Sequence, residues 1–294
     1  MNRRRFLTIT AGLALAAALP RALRASEGLT QWRGRALGAE TTITLAGGDP
    51  ALLSAIRAEI ERLEDIFSLY RPGSELSRLN TEGALEAPSA ELRACLALAG
   101  RVHAATGGAF DPSIQPLWRA YADAHGAPGQ VDHLPLGWGG VDLAEGRIAL
   151  RPGMALTLNG IAQGYIADRV AALIRARGLD RVMVDTGELH SIGPAPDGQP
   201  WPVHFDGGGG LALENRALAS SSPAGMTFPD GSSHILDPRT RRPAPSHWSL
   251  VSVSSRSAAV ADALSTAFCL IDDRNHINRI CEQFRDTRVE LLRV

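Results

Sequence analysis

Residues 156–170 read LTLNGIAQGYIADRV, and the reading of this stretch decides what kind of fold the chain can adopt. Its first residues alternate apolar and polar as a strand does, Asn159-Gly160 stops the alternation, and helical spacing of apolar residues begins at once. The junction carries little side-chain bulk: Ala162, Gln163 and Gly164. A strand–glycine–helix junction presents free backbone N–H groups and the positive end of a helix dipole, which suits a phosphate. The stretch is neither a dinucleotide fingerprint nor a P-loop, because Gln163 stands where a lysine would be needed. The glycines are equally compatible with a tight turn and close packing of a helix on a sheet.

Upstream, Arg35 to Leu45 reads as one strand interrupted at Leu37-Gly38-Ala39. Asp49-Pro50 opens a helix whose apolar residues Leu52, Ile56, Ile60, Leu63 and Phe67 keep helical spacing. SLYRPGSELSRLN (68–80) reads as a loop and a short helix, and Ser89 caps a further helix through His103, closed by Gly107-Gly108. GGAFDPSIQPLW (107–118) reads as a loop, and residues 147–159 as a hairpin about Pro152-Gly153. Downstream, a helix from Ala162 to Arg177 leads to the strand RVMVDTG (181–187). WPVHFDGGGGLALEN (201–215) reads as a hairpin, SLVSVSS (249–255) as a strand and SAAVADALSTAFCLI (257–271) as a helix. Strands and helices mix without regular alternation, so the expected class is α+β rather than a doubly wound sheet.

The composition narrows the function. A formal net charge of -1 over 294 residues argues against a nucleic-acid partner. All 30 basic residues are arginine, which excludes mechanisms that need a catalytic or phosphate-binding lysine. Cys95, Cys269 and Cys281 are too few and too far apart for a disulfide framework or a metal knuckle, and Cys95 and Cys269 read as core. Residues 2–26, NRRRFLTITAGLALAAALPRALRAS, have a basic start, an apolar run from Leu7 to Leu19 too short to span a bilayer, and small residues near Ala25. Arg3-Arg4 before Phe6-Leu7 gives this the character of a twin-arginine signal. The expected division is therefore a signal over residues 1–25, cleaved near Ala25, and one domain over 26–294, periplasmic and not membrane-spanning once cleaved.

Asp262 and Thr266 stand at i and i+4 on one helix face, and a carboxylate beside a hydroxyl suits Mg²⁺ shared with a substrate phosphate. The plain alternative is an acid near a helix start with a threonine bonding back to the backbone. In SSHILDPRTRRP (232–243), His234 could act as acid, base or donor, or could pack beside a turn capped by Asp237. The glycines at 207–210 lie between strands and read as a hairpin turn, and Asp185-Thr186-Gly187 has no second copy to make an aspartic protease dyad.

Together these segments resemble the ApbE family of FAD:protein FMN transferases, from about Arg35 to about Asp272. The motifs stand in the family's order: FSLYRPGSELSRLN, TGGAFDPSIQPLW, LNGIAQGYIADRV, HILDPRT and VADALSTAF. The first two, with the IAQG form of the third, are most similar to the NosX branch, associated with nitrous oxide reductase maturation. The resemblance implies an ApbE-type, T-fold-like α+β arrangement of mixed sheets packed with helices. It implies cleavage of FAD, transfer of FMN to a threonine of an acceptor and release of AMP, with Mg²⁺ bridging the pyrophosphate. Asp262, Thr266 and the carbonyl of Gly160 would hold the metal, and Asp262 and His234 would be catalytic, the latter taking the acceptor's proton. Leu37, Tyr70, Ala109, Phe110, Asp111, Thr157, Gln163 and Ile235 would contact FAD. The implied partner is the FMN-binding domain of a NosR-like membrane protein. Departures from the family pattern are Thr157, Asn159 and Gln163 for Asp, Gly and Lys, Thr186-Gly187-Glu188 for GGD, and Arg241 for glycine. They leave open an FAD carrier without transfer activity, and an FAD pyrophosphatase is the third reading.

Overall fold

A computed structural model describes residues 29–46, 50–205, 208–245 and 247–294. The expected signal over residues 1–25 and the expected cap at Asp49 lie outside them, as does Gly207 of the expected 207–210 turn. In chain order the first elements are β1 (Leu29–Ala36), β2 (Ala39–Ala46), α1 (Pro50–Phe67), α2 (Glu75–Glu82), β3 (Ala84–Glu86), α3 (Ala90–Ala105) and α4 (Gln115–Asp123). Then come β4 (Val141–Ala144), β5 (Arg147–Leu150), α5 (Ala162–Ala176), β6 (Val182–Asp185), β7 (Leu189–Ile192), β8 (Trp201–His204) and β9 (Gly210–Leu213). The last are β10 (Ala217–Ser221), β11 (Leu236–Asp237), β12 (Arg242–Pro243), β13 (Leu250–Ser255), α6 (Ala258–Phe268), α7 (Arg274–Cys281) and β14 (Arg288–Arg293).

Seven strands make one sheet in the order β1-β2-β6-β7-β10-β13-β14, and every ladder in it is antiparallel. Pleating sends successive side chains to opposite faces. Val182 and Val184 of β6 join Ile43 and Leu45 of β2 and the apolar faces of α1, α5 and α6 in the main core. Met183 between them joins Trp201, Val203 and Leu213 of the β8–β9 hairpin beneath the other face. A third cluster packs Leu117 and Tyr121 of α4 against Phe228 and Leu236. This is the α+β class expected. Cys95, Cys269 and Cys281 are all buried.

The sequence misled at three places. Arg35 to Leu45 is two strands, because Leu37 and Gly38 both take positive φ (48° and 86°) and form a two-residue turn with β1 paired to β2. The second hairpin turns at Glu145-Gly146, joining β4 to β5, and not at Pro152-Gly153. Residues 154–158 have no strand partner among the described residues, and a turn follows at Asn159-Gly160; the amide of Asn80 stands in for a partner, giving to and taking from the Leu156 backbone at 2.8 and 2.6 Å. Finally, the loop read over 107–118 turns into α4, with Pro116 in its first turn, where its missing N–H costs nothing.

The contact that positions the site is between α5 and α6. A Cβ added to Gly164 would stand 2.3 Å from the Ala258 carbonyl oxygen, so the two helix starts touch backbone to backbone. Ser257 caps α6 by accepting from Val260 N–H. Asp168 of α5 then accepts from Ser257 Oγ (2.7 Å) and from the N–H groups of Ala258 (2.7 Å) and Ala259 (3.2 Å). An acid at the positive end of a helix dipole is favourable, and here it also ties the two helices together.

Candidate active site

One cleft runs over the start of α5 and the Asp262–Thr266 stretch of α6, and all twelve residues singled out from the sequence line it. On one wall the β1–β2 turn presents Leu37, held at positive φ by its N–H donating to Glu64 Oε1 at 2.6 Å. A leucine in that conformation is strained, and strain of this kind is held in place by its surroundings. Glu64 is itself fixed by an ion pair with Arg71. Tyr70 is half exposed at the mouth and is hydrogen-bonded to Asn159.

Ala109, Phe110 and Asp111 form a second wall. Phe110 N–H donates to Thr106 Oγ1 (3.1 Å), and the Phe110 carbonyl faces His103 Nδ1 (2.9 Å). Asp111 is buried, and both its oxygens are engaged: Oδ1 accepts from Ser113 N–H (2.8 Å) and Oδ2 from Trp138 N–H (3.2 Å). Its carboxylate therefore shapes the wall. Thr157 is tied by its N–H to the Pro112 carbonyl (2.8 Å), which joins its segment to this wall.

Gln163 lies at the base of the cleft, its amide donating to the Thr186 carbonyl at 3.4 Å while Thr186 Oγ1 donates to the Gln163 carbonyl at 3.3 Å. Ile235 and His234 close the far side. The imidazole Nδ1 of His234 is 2.8 Å from the Met226 carbonyl. A carbonyl only accepts, so Nδ1 carries the hydrogen and Nε2 keeps its lone pair in the neutral ring. Burial holds the His234 pKa below the usual histidine value, against the opposing pull of the Met226 bond.

Thr266 stands against Gly160, and Asp262, one turn earlier on α6, lines the same cleft. A Cβ on Gly160 would lie 3.1 Å from Thr266 Oγ1 and 3.4 Å from the Phe110 ring, so a side chain there would press on Thr266. The two glycines of the opening stretch thus serve different ends: Gly160 keeps the cleft open beside Thr266, and Gly164 lets two helices touch. Thr266 does not bond back to the helix; the Asp262 carbonyl accepts a side-chain hydrogen from Ser265 Oγ instead, at 3.0 Å. Asp262 is buried, and its Oδ2 accepts from Gly164 N–H at 3.2 Å. Desolvation raises its pKa to about 7, against that hydrogen bond.

Sequence reasoning gave no site role to Glu188, the residue that stands in place of the family aspartate. It is 4% exposed, lines the cleft, and its Oε2 has no hydrogen-bond partner among the described residues. Burial, then the charges of Asp262 and Asp185, raise its pKa well above the carboxylate range, against a bond from the Ser220 N–H. An unpaired buried carboxyl beside a second one is costly unless a cation or a proton compensates. Among the described residues no group of three or more His, Cys, Asp or Glu is arranged around a metal. A cation here would therefore draw on a hydroxyl and a backbone carbonyl beside its carboxylates. These are hard oxygens, the donor set that Mg²⁺ takes, so the residues fit that ion.

Residues 37–290 match the sequence pattern of the ApbE family. A FAD:protein FMN transferase of Klebsiella pneumoniae (strain 342) is 28% identical over 262 residues, 78% of this chain and 78% of that one. One from Vibrio cholerae (serotype O1, strain Classical Ogawa 395) is 28% identical over 257 residues, covering 74% of each. Among solved structures, the ApbE protein of Thermotoga maritima superposes with a TM-score of 0.78 at 24% identity, over 89% of this chain and 94% of that chain. The flavin transferase ApbE from Vibrio cholerae gives 0.73 at 24% identity, over 87% and 90%. Likeness at that identity speaks for the fold, while the sequence pattern spans most of the chain, cleft included. The chain belongs to the ApbE family.

Proposed function

We propose that this chain is an FAD:protein FMN transferase, exported by the twin-arginine route, that labels a threonine of a periplasmic acceptor. The observation that carries the reading is the buried Asp262 beside Thr266 and Gly160 in a cleft lined by every residue given a binding or catalytic role from the sequence. The names borne by its relatives support the chemistry. Asp262, Thr266 and the Gly160 carbonyl would hold Mg²⁺, with Glu188 adding a carboxylate. When bound, that ion supplies positive charge against the pyrophosphate, where negative charge grows as the AMP phosphate leaves.

The chain's own residues account for the rest. Tyr70 at the mouth and Leu37, Phe110 and Ile235 inside offer apolar surface for the flavin or adenine ring. Gln163 replaces a cation with a hydrogen-bonding amide. His234 Nε2 accepts the proton of the acceptor threonine as its Oγ bonds to the FMN phosphorus, and the bond from that phosphorus to the bridging oxygen of AMP breaks. Atoms balance: FMN minus a hydroxyl is gained, AMP departs with the bridging oxygen, and one proton passes to the histidine. The acceptor proposed is the FMN-binding domain of a NosR-like membrane protein, in nitrous oxide reductase maturation, on the strength of the NosX-like motifs.

The test is in-gel flavin fluorescence of a purified acceptor of that kind after incubation with FAD and Mg²⁺. Fluorescent acceptor with the native enzyme, and none with Asp262→Ala or with excess chelator, is the expected result. Labelling that persists in Asp262→Ala would sink the metal assignment. FAD left whole would favour a carrier.

A further inference from the structure

The hydroxyl of Thr266 does not stand alone. Ser221 Oγ, at the end of β10, is 3.3 Å from Thr266 Oγ1 and 2.7 Å from Ser265 Oγ, and Ser265 Oγ is 3.0 Å from the Asp262 carbonyl. The direction of this chain is fixed by its last member. A carbonyl oxygen can only accept, so the one hydrogen of Ser265 is committed to Asp262. The short contact between Ser221 and Ser265 must then use the hydrogen of Ser221, and the contact between Thr266 and Ser221 must use the hydrogen of Thr266. Ser265 is fully buried, so no water competes for its hydrogen.

We infer that Ser221 and Ser265 are positioning residues that polarise Thr266, drawing its hydrogen away from the cleft so that its lone pairs face a bound divalent cation. This rests on the reading of Thr266 as a cation ligand. The threonine hydroxyl is otherwise a rotor that could point its hydrogen at the ion, and the relay removes that choice before the ion arrives. Groups that orient a ligand from behind typically change metal affinity by about 10–100-fold when removed. The relay spans two elements, with Ser221 on the sheet and Ser265 and Thr266 on α6, so it also registers the helix against the strand at the site.

Mn²⁺ binding to the FAD-free protein, followed by the loss of the free-ion electron paramagnetic resonance signal, tests this without reference to turnover. Ser221→Ala is expected to weaken Mn²⁺ binding about tenfold or more, Ser221→Thr to restore most of it, and Thr266→Ala to weaken it at least as much. In the Thr266→Ala background, Ser221→Ala is expected to add nothing, because there is no hydroxyl left to orient. Unchanged binding in Ser221→Ala, with Thr266→Ala still impaired, would overturn the relay and leave the metal reading standing. An equal loss from Ser221→Ala in both backgrounds would also overturn it, since the serine would then act by general damage. Native binding in Thr266→Ala would overturn the metal reading and the relay with it.

Discussion

At the scale of single residues, the cleft holds two carboxyls, Asp262 and Glu188, buried without a cationic partner among the described residues, and Asp185 lies half-buried outside its lining. Asp262 has its pKa raised to about 7 and Asp185 to about 6, and Glu188 is also raised, in each case chiefly by burial. The unfolded chain releases these protons near pH 4. Between about pH 4 and 7 the native state therefore holds protons that the unfolded state has lost, and stability falls as pH rises. The metal-free protein should melt several degrees lower at pH 8 than at pH 5.5, and Mg²⁺ should recover part of the loss at pH 8. A melting point that does not fall over that interval would contradict the burial described here. His234 predicts the other limb. Its pKa is lowered by burial, so the acid fall in kcat/KM for flavin transfer should lie below the ordinary histidine value of about 6.5. In His234→Gln that limb should vanish along with most of the rate, as measured by a pH profile. Each residue given a binding or catalytic role from the sequence lines the cleft, because motif order preserves which side chains converge. Glu188 and Ser221 were not legible as site residues, since their importance lies in burial and in partners more than 40 residues away in the chain, such as Ser265 for Ser221.

At the scale of elements, the junction of α5 with α6 carries the site, and its two glycines separate cleanly by experiment. Gly164→Ala drives a methyl into the Ala258 carbonyl and should cost about 1–3 kcal/mol by overpacking. Gly160→Ala meets Thr266 Oγ1 at 3.1 Å, a contact that a side chain can partly relieve. It should change stability by less than about 1 kcal/mol while weakening Mn²⁺ binding. Denaturant melts paired with cation titration would show the two effects falling on different variants; equal loss of stability in both would contradict the assignment. Asp168→Ala strips three donors of their acceptor at the start of α6 and should cost about 2 kcal/mol in the same melts. The helices were legible because caps and spacing are local: Ser89 accepts the hydrogen bond expected of it as a cap, while the helix after Ser257 was read from spacing and Ser257 also caps it. The hairpins were less so. The turn at Leu37-Gly38 uses a leucine where asparagine or glycine is usual, and the strand-like run 154–158 finds its partner in the Asn80 side chain, which no periodicity reveals. Arg241 is a similar case: it holds positive φ (59°) where the family has glycine, and its guanidinium donates to the Val131 and Leu134 carbonyls at 2.7 and 3.1 Å.

At the scale of the whole molecule, the α+β class was legible because strands and helices alternate irregularly along the chain. The sheet order was not, since neighbours such as β2 and β6 are brought together across about 140 residues by the packing of α1 and α5 on one face. Among the described residues no helix is long and apolar enough to cross a membrane. The export proposed above belongs to this scale. Replacing Arg3 and Arg4 with lysine should leave the precursor in the cytoplasm, as read by fractionation, and undiminished periplasmic protein would count against the twin-arginine reading. The central claim is that the cleft splits FAD and hands FMN to a protein hydroxyl. Its most direct measurement is the intact mass of a purified NosR-like FMN-binding domain after incubation with the enzyme, FAD and Mg²⁺, with AMP quantified in the same tube. A gain of one FMN less one water, located on a threonine, with one AMP released for each acceptor labelled, is the expected result. AMP released while the acceptor mass stays unchanged would contradict it and mark the enzyme as a hydrolase of FAD.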